Sequence, residues 1–127
     1  MAGFSDFLET KVLDHVFGGT AYTAPTTLYV ALYTAAPTDS GGGTEVSGGA
    51  YARQTAAFNV SGNTATNAAN VEYATATANY GTVVAMGIFD AATSGNLLAY
   101  GTLTTSKSVS TRDVFRFNAS AIDITLT

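Results

Sequence analysis

Hydrophobic periodicity takes the helical interval once in this chain, over Ser5 to Phe17, and gives way to strand-like alternation from Gly19 onward. At 100° per residue, Phe7, Leu8, Val12 and Val16 share one arc, which Leu13 and Phe17 widen. Ser5 or Asp6 can cap the start, Asp6 and Glu9 have the spacing of a capping box, and Gly18-Gly19 supplies the stop. So wide an apolar arc exceeds what one sheet face needs. The helix therefore either plugs the end of a β-structure or turns a second side toward a neighbouring subunit.

The remainder reads as short strands punctuated by turn residues. Thr27–Thr34 alternates Leu28, Val30 and Leu32 against Tyr29, Ala31 and Tyr33, the pattern of a central strand with two apolar faces. Further strands are expected over Tyr51–Val60, Thr64–Thr77 (with Val71 and Tyr73 pointing inward), Thr82–Phe89, Leu97–Leu103, Asp113–Asn118 and Ala121–Thr127. The Asp90–Asn96 turn makes Thr82–Phe89 and Leu97–Leu103 the clearest hairpin. Between the first two strands lies a Gly/Ser/Pro loop, about 35–49, longer than the roughly 12 residues that compact domains usually leave irregular. The expected fold is mainly β: one domain over 1–127, an antiparallel β-sandwich or barrel-like fold with one N-terminal α-helix about 5–17.

Composition excludes several chemistries. With no cysteine there is no disulfide framework and no thiol nucleophile, and the single histidine, His15, makes a histidine-rich metal centre impossible. His15 stands near the helix C-terminus, where the dipole favours it, and no G-x-S-x-G elbow supplies a nucleophile. No two carboxylates are paired by local spacing. The Gly41-Gly42-Gly43 run lacks the Lys-Ser/Thr of a phosphate loop, and Asp39, Ser40, Thr44 and Glu45 lack the register of a calcium loop. No apolar run reaches the roughly 18 residues of a membrane span, and Asp6 and Glu9 stand where a secretory signal carries positive charge. The expectation is no enzyme, no cofactor, no metal, no membrane and no nucleic acid, since the five basic residues are scattered. Charged residues are only 11% of the chain, against about 25% in ordinary soluble domains, and the net charge is −4. A surface of Thr, Ser, Asn, Gly and Ala loses its water cheaply, which suits a subunit packed against other proteins.

Particular strings are more specific. Ser5–His15, Thr27–Pro37, Gly43–Gln54, Met86–Gly101 and the closing alternating strand together resemble a family of small tailed-bacteriophage virion structural proteins, often labelled tail-fibre proteins. The resemblance implies a virion protein assembled in the bacterial host cytoplasm, without catalytic residues. A fibre shaft would need repeats or heptads, which are missing. The first expectation is therefore a capsid decoration (cement) protein that binds the major capsid protein and copies of itself, with a trimer as the candidate arrangement. The alternative is a tail-fibre or baseplate module that binds other tail proteins or a host surface glycan. The expected contact residues are Phe7, Val12 and Phe17 on the helix, Pro37, Asp39 and Glu45 in the long loop, and Arg53 at its exit, poised for a bidentate link to a neighbour's carboxylate.

Overall fold

A computed structural model of the chain describes residues 2–126. In chain order the elements are β1 (Gly3–Phe4), α1 (Asp6–Val16), β2 (Leu28–Ala35), β3 (Thr44–Glu45), β4 (Gln54–Ala56), β5 (Phe58–Ser61), β6 (Thr64–Asn67), β7 (Val71–Glu72), β8 (Gly81–Phe89), β9 (Leu97–Val109), β10 (Arg116–Phe117) and β11 (Asp123–Thr125). The fold is mainly β and antiparallel, with one helix. A main sheet runs β1-β9-β8-β2, and β3 and β4 share the far edge of β2. Two smaller sheets, β11-β6-β5 and β10-β7, stand apart from it. The principal core lies between: Val30, Leu32, Met86 and Ile88 from the main sheet meet Val71, Tyr73, Phe115, Phe117 and Ile122. That is sandwich-like packing, with burial on the inner face of each layer.

Sequence and structure agree best where apolar character is strongest. β2 pairs with β8 from Tyr29↔Phe89 to Tyr33↔Ala85, and β8 with β9, so the expected hairpin and central strand are both present. Ser5 is the helix N-cap; its Oγ accepts the Leu8 N–H at 3.3 Å and donates to the Leu97 carbonyl. Asp6 is consequently the first helical residue and the Asp6/Glu9 capping box does not form. The buried Ser5 hydroxyl thus ties the helix start to β9.

Five expected strands differ from those observed. Tyr51–Val60 divides at Ala57, because β4 completes the main sheet against β2 whereas β5 pairs with β6 in a smaller one. Thr64–Thr77 is two pieces, β6 and β7. The buried Asn67 ends β6: its side chain donates to the Ala69 and Asn118 carbonyls, both at 2.9 Å, and accepts the Ile122 N–H at 2.9 Å. The closing segments contract to β10 and β11, since the 118–122 turn hangs on Asn67 rather than on a ladder; Thr127 lies outside the described residues. β9 is longer than expected, running on to Val109 through a shift in which Val83 faces Lys107 and Ala85 faces Thr102. The bulge and the threonine-rich composition there hide the alternation.

Candidate functional site

The far edge of β2 has a gap, and the side chains that fill it organise the surface nearby. β4 pairs with Leu28–Val30 and β3 with Tyr33–Ala35, so neither strand reaches Ala31 and Leu32. Two tyrosines take over backbone groups at this lapse. Tyr73 donates its hydroxyl to the Val30 carbonyl at 2.7 Å, and the Tyr51 oxygen accepts the Leu32 N–H at 3.0 Å. Their rings stack with centroids 6.0 Å apart. A buried tyrosine needs a partner for its hydroxyl, and an open ladder offers one.

From Tyr51 the network continues outward. Its hydroxyl donates to Glu45 Oε2 at 2.7 Å, and Arg53 grips both oxygens of the same carboxylate through Nε and Nη2, each at 2.9 Å. The second terminal nitrogen of Arg53 donates to the carbonyls of Ala91 (2.9 Å) and Ser94 (2.8 Å), and the guanidinium lies 3.7 Å from the centre of the Phe89 ring. One side chain therefore ties the loop exit to the β8–β9 turn. The Arg53 side chain is 7% exposed and that of Glu45 26%. Burial alone would raise the Glu45 carboxyl, but hydrogen bonds from Arg53 and Tyr51 outweigh it and hold it below the usual glutamate range. Burial pushes the Tyr33 hydroxyl up to about 12, aided by the Glu45 charge. Tyr51 is raised well above the usual tyrosine range, first by burial and then by its bond to Glu45.

Beside this network lies a cleft of about 570 Å³ between the helix start, the glycine run and the β8–β9 turn. Phe7, Asp39, Glu45 and Arg53 all line it, so the structure brings together four of the seven expected contact residues. Asp39 accepts a hydrogen bond from Tyr100, whose hydroxyl is raised chiefly by that bond, and its backbone carbonyl accepts the Asp6 N–H at 2.9 Å. The loop can fold back this tightly because of Gly43. Its φ is +75°, and a Cβ there would fall 2.6 Å from the Ala35 carbonyl oxygen.

The other expectations divide. Pro37 is buried beneath the loop rather than presented by it. The carboxylate expected of a neighbour for Arg53 is supplied within the chain by Glu45. Phe7 and Val12 are half-buried on the inner side of the helix; Phe7 meets the Tyr22 ring edge-on at 6.4 Å and carries the Lys11 ammonium 5.7 Å above it. Phe17 is 81% exposed and continues an outer stripe with Leu13 (58%) and Val16 (61%). The helix thus has two apolar sides, one on the sheet and one in solvent. The width of the arc in the sequence signalled this, although it did not say which residues face out. What sequence reasoning missed was the Tyr51/Tyr73 pair and Asn67; a hydroxyl on an inward-alternating tyrosine was the available signal.

Glu45 is neutralised by Arg53, and Asp90 is engaged by the Asn96 backbone and side chain at 2.8 and 2.9 Å. His15 Nδ1 accepts the Tyr22 N–H at 3.1 Å, away from the cleft. Among the described residues no three His, Cys, Asp or Glu side chains converge as metal ligands, and no helix is long and apolar enough to cross a membrane. The comparison with protein families is positive: the family model described as Podophage GP4 fiber I protein gp80 matches residues 3–125. No match was found among curated proteins.

Proposed function

The chain belongs to the family of the podophage GP4 fiber I protein gp80, a phage virion structural family, and on that premise we propose that it is a module of the tail-fibre apparatus that works by binding other virion proteins. The observation that carries the binding role is the outer helix stripe of Leu13, Val16 and Phe17, which the fold leaves in water. The fibre description of the family favours the tail. The absence of repeats and heptads fits an adaptor or tip better than a shaft.

Capsid decoration is the second reading, and what favours it is the low charge of a compact β-fold, suited to repeated weak contacts on a lattice. The two readings predict different particles. Cryo-electron microscopy of intact virions, with protein quantified in purified particles, finds a few copies confined to the tail if the fibre reading holds. Copies arrayed over the head, with heads that become fragile when stripped, overturn it in favour of decoration.

A further inference from the structure

β1 closes one seam of the fold and leaves the rest of that seam open. Gly3 and Phe4 pair antiparallel with Tyr100 and Ala99 of β9. On the other side the Ala2 N–H donates to the Asp123 carbonyl at 2.9 Å, and the Ala2 carbonyl accepts the Thr125 N–H at 3.1 Å. Residues 2–4 thus lie between an edge of the main sheet and an edge of the β11-β6-β5 sheet, bonded to both. β9 runs on to Val109, but among the described residues no strand pairs with its outer edge beyond Tyr100. A groove of about 600 Å³ lies there instead, starting at Ala2 and bounded by the 101–109 stretch of β9 and the segments 113–117 and 121–123. We propose that this groove is a strand-addition site, in which an extended segment of a neighbouring virion protein continues the lane of residues 2–4, antiparallel to β9. The proposal rests on the reading that the chain binds other virion proteins, and it names the kind of segment bound.

Backbone, not charge, selects the occupant. The rim carries both signs, Lys107 and Arg116 against Asp113 and Asp123, with Glu72 3.6 Å from Arg116, so it calls for no net charge. An open edge, by contrast, presents a row of N–H and C=O groups that another extended backbone matches in register, as residues 2–4 already do. The ladder to β8 also lapses here: residues 103–106 fall between the Val83↔Lys107 and Ala85↔Thr102 pairs, opposite Val84 alone. The usual guards against edge pairing are sparse, since the 101–109 stretch holds no proline and one charge, Lys107. The floor, formed by Met86, Leu103, Phe115, Phe117 and Ile122, takes apolar side chains from alternate positions of the incoming strand. About six residues, or roughly 20 Å of strand, fill the lane.

A tethered strand tests the site. The full chain is extended before Met1 by six residues alternating threonine and valine, with a glycine-serine extension of equal length as control. Amide hydrogen exchange along 102–107 should slow about tenfold with the first extension and keep the wild-type rate with the second. Val114→Asp, in the groove wall and 49% exposed, should abolish the slowing; Ala121→Asp, also exposed in the wall, repeats that arm should Val114→Asp fail to fold. No slowing, or equal slowing with both extensions, overturns the proposal and leaves the placement in the virion untouched. In purified virions, a photo-cross-linking side chain in place of Thr105, exposed beside the groove, should join to a segment of another virion protein with apolar residues at alternate positions. Joining to a second copy of this chain, or to no segment, overturns the choice of partner. Joining to a head protein would overturn the tail placement while upholding the strand site.

Discussion

On one side of β2, Val30 and Leu32 are fully buried among Tyr73, Phe115 and residues of the smaller sheets. On the other, Ala31 and Tyr33 meet Phe89, Ala85 and Leu97, with Arg53 laid over Phe89. The first face is a broad apolar core whose polar atoms are tyrosine hydroxyls spent on backbone. The second is small and is closed by an ion pair and a folded-back glycine loop. Burial of area holds the inner face, whereas geometry holds the outer one. The two should therefore fail under different perturbations, and the outer face is the one that shapes the cleft.

The largest effect is expected at Tyr73, which is 2% exposed. Tyr73→Ala removes a ring stacked on Tyr51 and edge-on to Phe115, and should cost about 4 kcal/mol in denaturant unfolding. Tyr73→Phe keeps the ring but strands the Val30 carbonyl, for about 1–2 kcal/mol. If the two substitutions cost the same, the hydroxyl rather than the packing holds the inner face, and the contrast between faces collapses.

Next comes the ion pair. Arg53→Ala leaves Glu45 half-buried without its counter-charge and frees the Ala91 and Ser94 carbonyls, which should cost about 2–3 kcal/mol; Arg53→Lys should recover little, because an ammonium cannot form the same planar fork. The pH dependence separates the faces further. The Glu45 carboxyl is depressed in the fold, so its contribution is present above the ordinary glutamate value of 4.5 and is lost as pH falls below it through the folded value. Glu45→Gln should remove that acid-side loss in stability measured against pH. At the alkaline end the sign reverses. Tyr33 holds its proton to about 12 when folded but releases it at 10.0 when unfolded, and Tyr73 is raised still further by burial. Stability should therefore fall as pH climbs above 10.0, from both faces at once; the fall should persist but shrink in Glu45→Gln, because burial is the first cause of both shifts and the Glu45 charge a lesser one.

How much of this could be read in the sequence follows the same division. The β8–β9 hairpin was legible from two apolar strands and the turn between them, and so was the end of the helix at Gly18-Gly19; β2 was legible as a central strand, though not its partners. The passage from β4 to β5 was not, because the apolar pattern runs on across Ala57 while the chain changes sheets. Periodicity reports which face is buried, not which strand lies alongside. Arg53 was recognisable as a bidentate donor, but whether its carboxylate came from the chain or a neighbour depended on how a long loop folds back. That fold-back rests on Gly43, one glycine among many in its loop.

A smaller effect tests how tightly the outer face is fitted. At Gly87 a Cβ would fall 3.0 Å from both Leu97 Cδ1 and Tyr33 Cε1, so Gly87→Ala should cost about 1–2 kcal/mol by crowding two side chains that hydrophobic area alone would tolerate. Neutral behaviour would mean that Tyr33 and Leu97 give way easily, and that the ion pair by itself holds this face.

The smallest effect is expected on the far side of the helix. Phe17, 81% exposed, contributes almost nothing to the packing of either sheet face, so Phe17→Ser should leave unfolding free energy within about 0.5 kcal/mol of wild type. That near-zero value carries weight because Val12, on the inner side of the same helix, should lose measurably more on truncation to Ala, being half-buried. A phenylalanine kept in water with no gain in folding would support the contact role proposed for the stripe. Equal losses at the two positions would instead make the outer stripe part of the fold, and would remove the main support for an attachment role.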